Sequence, residues 1–414
     1  MIYNIRNTDS EVKGLVLLPA SKSISNRLLI MSALTDFRLV TLGLSESDDT
    51  KVMLESLHSD SYERNVGHAG TAMRFLTAYF ALKQGEVLLT GSERMKNRPV
   101  GILVELLREL GAKIEYTDKE GYPPLRISDG KLKGGKRSIN SEISSQYITA
   151  LLLIGPYLPG GLELFLKGNM VSASYINLTL QLMKRAGIKY VWNQNHIKIE
   201  EGNYQAGTFQ IEPDWSAASY WYEMVALAEK SQVFLSGLTS ESLQGDSALV
   251  SIFENFGVKS IFEEEGVSLL KTKGNTEFFE YDFTLNPDLV QTIIPTCIAL
   301  CIPFRITGTH TLRIKETDRI LALYTEMKKF GVMLNYSESG EWISWDGKSR
   351  FVPTTDVVID TYEDHRMAMG FAPLALKTGG IRINEPAVVS KSYPGFWDDL
   401  MRVGFELKPE GEKE

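Results

Sequence analysis

An amphipathic helical pattern that stops at a glycine and then passes into a strand recurs along the chain. The copies are LVELLRELG ending at Gly111, LQLMKRAG at Gly187, LVSIFENFG at Gly257, LYTEMKKFG at Gly331 and DLMRVG at Gly404. In each, apolar residues return at the three- and four-residue intervals of one helix face. Glycine closes each pattern because, lacking a Cβ, it enters the left-handed conformation in which many helices end. The glycines recur at roughly 73-residue intervals, too long for a solenoid repeat, and six units of that length nearly fill the 414 residues. A degenerate sixth copy, VMLESLH at Val52–His58, lacks the glycine. A second helix is predicted in the units, opened by small polar or charged residues, for example at Ala69–Arg74, Ser144–Gln146 and Asp364–Arg366. Short segments such as EVLLT and GGIRIN fill the gaps as strands. The pattern predicts an α/β protein built from six repeated units.

Two apolar stretches, Ile143–Leu162 and Leu289–Phe304, are interrupted by glycine or proline, and the second is short, so both are expected in a buried core and not in a membrane. Hydrophobic residues make up 43% and charged residues 23%, which is globular composition and argues against wholesale disorder. With 44 Lys+Arg against 52 Asp+Glu the formal net charge is −8, so nucleic acid and anionic membranes are poor partners, while local basic pockets for small anions stay open. Cys297 and Cys301 cannot build a disulfide scaffold; they stand one helical turn apart among apolar residues and read as buried core. The first ten residues show no apolar h-region, so no signal peptide is expected and the chain is assigned to the cytoplasm. Lys408–Glu414 is expected to be a fraying polar tail.

Several chemistries have no sequence support. No two of the 34 glycines stand two apart, so a GxGxxG dinucleotide fingerprint is missing. The nearest approach to a phosphate loop, Gly130–Arg137, carries arginine where Ser or Thr would hold magnesium, and reads as a basic turn. HExxH, CxxC and GxSxG are also missing. A nicotinamide enzyme, a nucleotide hydrolase and a zinc hydrolase are therefore disfavoured. The segment Leu18–Met31, LPASKSISNRLLIM, carries more information. Ser21 or Ser23 can cap a helix, so backbone N–H groups, two hydroxyls, Lys22 and Arg27 converge on its start, which suits a phosphate or carboxylate. The alternative at that point is an ordinary capped helix with exposed basic residues.

Leu18–Leu34 closely resembles the N-terminal signature of the 5-enolpyruvylshikimate-3-phosphate synthase family, the 3-phosphoshikimate 1-carboxyvinyltransferases. Further motifs agree in order: Ala69–Arg74, Arg94–Pro99, Ser144–Gln146, Val171–Tyr175, Pro287–Asp288, Arg313–Arg319, Asp364–Met369 and Lys391–Pro394. The resemblance spans nearly the whole chain. It implies an inside-out α/β barrel fold of enolpyruvyl transferase type, with two domains of three units each, in agreement with the six units above. The expected domains are 21–213, with a shortened first unit, and 1–20 plus 214–414, joined by two crossing strands.

The resemblance implies transfer of the enolpyruvyl group of phosphoenolpyruvate to the 5-hydroxyl of shikimate 3-phosphate through a tetrahedral intermediate, in the shikimate pathway of aromatic amino-acid synthesis. Both substrates are polyanions, so such a site needs many cations with water excluded, and acids to move protons. By resemblance, Lys22, Ser23, Arg27, Ser144, Ser145, Gln146, Ser172, Tyr175, Asp288 and Lys315 bind shikimate 3-phosphate. Lys22, Gly70, Arg98, Gln146, Arg319, Arg366 and Lys391 bind phosphoenolpyruvate. Asp288 is implied as the base for the 5-hydroxyl and Glu316 as the proton donor to C3, with Lys22 assisting. Neither a metal nor a redox cofactor is implied, and a monomer is expected.

The chain departs from the family at three places: His68 stands where Asn is usual, Phe75 where Pro is usual, and Thr311 where Asn is frequent. The segment Ser59–Gly67 is also short, which accounts for the glycine lost from the first unit. Two alternatives are a UDP-N-acetylglucosamine 1-carboxyvinyltransferase and an inert anion-binding protein on the same scaffold. The first uses a mobile-loop cysteine near its arginines, whereas both cysteines here lie in an apolar run. The retained Lys22, Asp288 and Glu316 argue against the second.

Overall fold

The computed structural model describes residues 1–410 apart from 142–144, 169 and 356. The chain divides into two compact units, a terminal unit of Met1–Pro19 with Glu212–Glu414 and an inserted unit of Ala20–Ile211. Among the described residues the fold is mixed α/β with six small sheets.

Three four-stranded sheets belong to the terminal unit. In strand order they are Val358–Ile359, Ile381–Asn384, Ile2–Arg6 and Glu406–Glu410; Val258–Glu263, Gly266–Lys271, Lys230–Ser236 and Glu11–Val16; and Phe279–Asp282, Phe304–Thr307, Trp342–Trp345 and Asn335–Tyr336. The inserted unit holds two more, one of Glu63–Asn65, Val87–Thr90, Leu125–Ser128 and Lys113–Tyr116, the other of Tyr190–Asn193, His196–Ile199, Leu162–Lys167 and Gly135–Asn140. Each four-stranded sheet has the same make-up, one parallel pair followed by two antiparallel pairings. The sixth sheet is the parallel pair alone, Leu39–Leu42 beside Gly207–Gln210.

The five helix-closing glycines, Gly111, Gly187, Gly257, Gly331 and Gly404, all have φ between +78° and +110°. That is the left-handed region that a Cβ disfavours. The sixth unit shows what happens without one: the helix Asp48–His58 ends at Ser59 in an extended conformation.

Each unit is centred on three mutually packed helices. They are Lys22–Leu34, Gly70–Leu82 and Ser145–Ile154 in the inserted unit, and Trp215–Leu227, Val290–Ala299 and His365–Phe371 in the terminal unit. All are buried almost all round, so they lack a polar stripe, as a helix inside a core should. This explains the two long apolar stretches: Ser145–Ile154 and Val290–Ala299 are central helices, and among the described residues no helix is long and apolar enough to cross a membrane.

Two expectations are corrected. Cys297 is buried, but Cys301 is exposed with φ +58°, because the helix stops at Ala299 ahead of Pro303. Lys408–Glu410 does not fray; it lies in the strand Glu406–Glu410, paired antiparallel with Ile2–Arg6 and tied by Arg382 to Glu410. Residues 411–414 lie outside the described residues.

Two central helices of the terminal unit come into tight contact at Gly370, where an added Cβ would stand 2.4 Å from the carbonyl oxygen of Gln291. The obstacle is backbone in a packed helix and cannot swing aside. Gly370→Ala is therefore expected to lose about 1–3 kcal/mol of stability, read as a lower urea midpoint at unchanged m-value. An unaltered midpoint would contradict this packing.

Candidate active site

The helix N-termini of the inserted unit carry its candidate residues. Ser21 caps the helix Lys22–Leu34, its hydroxyl accepting from the Ile24 N–H. Lys22 Nζ lies 3.2 Å from Asp49 Oδ2, a buried carboxylate in the first turn of the helix Asp48–His58. Arg27 is 4% exposed. Its Nε donates to Thr179 Oγ1 at 2.8 Å, Nη1 to the Ser23 carbonyl at 2.8 Å and Nη2 to the Tyr175 carbonyl at 3.3 Å. The rings of Phe75 and Tyr175 stand 5.6 Å and 5.8 Å from its guanidinium carbon. Burial pulls Arg27 down to about 10, with Tyr175 acting weakly against it, so it keeps its charge at neutral pH.

Arg98 follows a single 3₁₀ turn, and its guanidinium lies against Gly70, where a Cβ would stand 2.4 Å from Nη1. Arg74 holds this pair in place by donating to the Gly70 carbonyl at 3.1 Å and the Pro99 carbonyl at 2.6 Å. Gln146 Nε2 reaches Thr71 Oγ1 at 3.4 Å, linking the starts of two central helices, and Ser145 beside it is buried. Ser172 is buried at φ +55°, a left-handed conformation that a non-glycine residue rarely adopts, and sits at the start of the helix Ala173–Arg185 that carries Tyr175. Ser144 lies outside the described residues.

In the terminal unit the candidates gather around Arg319, whose side chain is 1% exposed. Its Nη1 donates to Asp288 Oδ1 at 2.9 Å, its Nη2 to Glu316 Oε2 at 2.9 Å and its Nε to Asp364 Oδ2 at 2.7 Å. Burial pulls the guanidinium down, but Asp364, Glu316 and Asp288 together outweigh it, and the net displacement is upward. Asp288 also meets Lys315 Nζ at 3.6 Å and Arg366 Nη2 at 3.2 Å, and its carbonyl accepts from Arg366 Nη1 at 3.2 Å. Glu316 Oε1 stands 3.6 Å from Lys391 Nζ. Arg366 reaches the Tyr220 hydroxyl at 3.5 Å, and burial pushes that hydroxyl up. His365, buried at the first position of its helix, has Nδ1 3.7 Å from Asp364 Oδ1.

All six terminal-unit candidates thus fall in one connected network. Sequence reasoning missed its partners Asp364 and Tyr220, and missed Asp49 beside Lys22. Asp364 stood in a quoted motif at a helix-capping position, which was its available signal. Asp49 is 27 positions from Lys22, and no periodicity links them.

Two carboxylates held among cations, most of them buried, are an arrangement that can receive an anion and move protons. Comparison with known proteins gives it a family. The family model for EPSP synthase (3-phosphoshikimate 1-carboxyvinyltransferase) matches residues 56–400, and the chain belongs to that family. It is similar to a 3-phosphoshikimate 1-carboxyvinyltransferase of Bacteroides fragilis, with 50% identity over 96% of this chain and 97% of that protein. A protein of the same name from a Sulfurovum species is 37% identical, over 94% and 96%. A solved structure of EPSP synthase from Acinetobacter baumannii superposes with a TM-score of 0.77 at 21% identity, covering 99% of this chain and all of that one, which supports the fold.

Another acid lies close to the network. Asp246 is buried, accepts a short hydrogen bond from Ser216 and feels both Asp288 and Arg366. Burial first, and then the Asp288 charge, push it up to about 6 against the pull of Ser216 and Arg366. A carboxyl whose folded-state value lies above its unfolded value favours folding when protonated. That advantage is lost as pH rises from the ordinary Asp range through about 6. Asp246→Asn, neutral throughout, should therefore gain about 1–3 kcal/mol relative to the parent between pH 4 and pH 7. Urea midpoints of both proteins at the two pH values check this; a constant offset would contradict it.

Proposed function

We propose that this chain transfers the enolpyruvyl group of phosphoenolpyruvate to the 5-hydroxyl of shikimate 3-phosphate and releases phosphate, with the residues described above dividing the work. The reading takes the chain to act in the cytoplasm as a monomer, without a metal or redox cofactor. Family membership and half-identity to a 3-phosphoshikimate 1-carboxyvinyltransferase support the reaction. The observation that carries the residue roles is the pair of acids, Asp288 and Glu316, bonded to one buried guanidinium and flanked by Lys315, Arg366 and Lys391.

In the addition step the 5-oxygen bonds to C2 of phosphoenolpyruvate while the C2–C3 π pair takes a proton at C3, giving a tetrahedral ketal. In the elimination step C3 loses a proton, the C2–C3 double bond re-forms, and the C2–O bond breaks so that phosphate leaves with the electron pair. Asp288 takes the 5-hydroxyl proton, Glu316 donates to C3, and Lys22 assists the transfers. Ser23, Arg27, Ser144, Ser145, Gln146, Ser172, Tyr175 and Lys315 hold shikimate 3-phosphate. Arg98, Arg319, Arg366 and Lys391, with the Gly70 backbone and Gln146, hold phosphoenolpyruvate. Guanidiniums suit carboxylate and phosphate because their planar donors pair with two oxygens at once.

Mixing the protein with both substrates, with no metal added, should release phosphate in proportion to turnover; no release with folded protein would overturn the reading. Two variants divide the roles. Asp288→Asn keeps shape and hydrogen bonding but removes the base, so kcat should fall by ~10²–10⁴ while shikimate 3-phosphate binding changes little. Arg27→Ala should instead weaken that ligand by about 1.5–3 kcal/mol through loss of a charge-assisted hydrogen bond. Near-normal turnover by Asp288→Asn would move the base role to Glu316 or Lys22.

A further inference from the structure

Asp364 is fully buried and holds two arginines by different means. Its carboxylate pairs with the Arg319 side chain, Oδ2 accepting from Nε at 2.7 Å and Oδ1 from Nη2 at 3.4 Å. Oδ1 also accepts from the backbone N–H of Arg366 at 3.0 Å and so caps the helix His365–Phe371. One side chain thus orients the Arg319 guanidinium and fixes the point from which Arg366 departs. The other two carboxylates on Arg319, Asp288 and Glu316, have side chains 15% exposed, whereas Asp364 is closed off from solvent.

The backbone leading to Asp364 supports the same view. Tyr362 and Glu363 are consecutive non-glycine residues in the left-handed region, at φ +53° and +54°, a conformation that persists only where surrounding contacts impose it. Those contacts come from the helix that Arg319 begins. Glu326, buried on the helix Arg319–Lys328, accepts from the Tyr362 hydroxyl at 2.7 Å and from the Asp360 N–H at 3.1 Å. The Asp364 N–H closes the turn onto the Thr361 carbonyl at 2.8 Å. A strained loop is therefore pinned at both ends to one helix, and its product is the placement of a single carboxylate.

We propose that Asp364 is a positioning residue for phosphoenolpyruvate, holding Arg319 and Arg366 in the geometry that receives that anion. This rests on the reading above that both arginines bind phosphoenolpyruvate. The competing possibility is that Asp364 only caps its helix.

Asp364→Asn separates the two, because an amide oxygen still caps but carries no charge. The expected result is a phosphoenolpyruvate KM raised at least about tenfold. The KM for shikimate 3-phosphate should stay within about twofold, while the thermal midpoint falls because part of the buried Arg319 charge loses its partner. Should the Asn variant not fold, Asp364→Ser, which also caps, serves in its place. Unchanged phosphoenolpyruvate KM, or equal rises in both KM values, would overturn the proposal. Arg319→Gln, run in parallel, identifies which reading failed. If it raises the phosphoenolpyruvate KM while the Asp364 variant does not, only the positioning role falls. If it leaves that KM unchanged, the binding role of Arg319 falls and the positioning role falls with it.

Discussion

A guanidinium that is almost wholly removed from water keeps its proton, so its charge must be met where it stands. Arg319 is in that position, and three carboxylates from three separate stretches of chain answer it. Removing any one leaves part of a buried charge uncompensated, which is far more costly than never having built the pair. The terminal unit depends on this constraint twice. It draws the segments bearing Asp288, Glu316 and Asp364 onto one helix start, and it fixes the two acids that chemistry at this site would use. Lys315, Arg366 and Lys391 then extend the network outward, so that each acid is shared between cations and not committed to one partner.

The inserted unit handles its buried cation in another way. Arg27 is met by a hydroxyl, two carbonyls and two aromatic rings, with no carboxylate among the described residues. Neutral acceptors orient a guanidinium without cancelling its charge, so its field remains available to an anion. Burial accordingly lowers the proton affinity of Arg27, whereas the surrounding carboxylates raise that of Arg319. The contrast matches the division of roles proposed for the two: Arg27 grips a phosphate ester, whereas Arg319 binds an anion and also organises proton-transfer groups.

Much of this was legible in the chain, and the reason is local. A glycine that ends a helix is required by backbone sterics at that residue, so five copies at near-constant spacing were visible without knowing any contact. Lys22, Arg27, Asp288, Glu316 and Arg319 were found because they sit in ordered motifs of a recognisable family. What escaped depends on distance in sequence. Asp49 reaches Lys22, and Asp246 comes near Asp288 and Arg366, only after the helices have packed. The strand Glu406–Glu410 is polar enough to read as a tail, and exists because Ile2–Arg6 offers it an edge. Cys301 looked like core because its neighbours are apolar, yet the helix that would have buried it stops two residues earlier.

The departures from the family pattern have local consequences. Phe75 stands inside the helix Gly70–Leu82, where a proline would remove a backbone donor. Here the helix keeps that donor, and the ring packs beneath Arg27. His68 hydrogen-bonds to Ser92 at 2.9 Å, and the Ser92 N–H bonds to the Gly67 carbonyl at 3.0 Å, so the segments leading to Gly70 and to Arg98 are stitched together just ahead of both residues. Gly70 is the point on which that stitching bears. The atom its Cβ would strike is the far end of the Arg98 side chain, not backbone, so a larger residue there can be accommodated by displacing a charge. If Arg98 meets phosphoenolpyruvate as proposed, a side chain at this position would be opposed by the place that Arg98 must take, and only weakly by folding. On that reading the glycine here answers to the ligand's geometry more than to the protein's own packing.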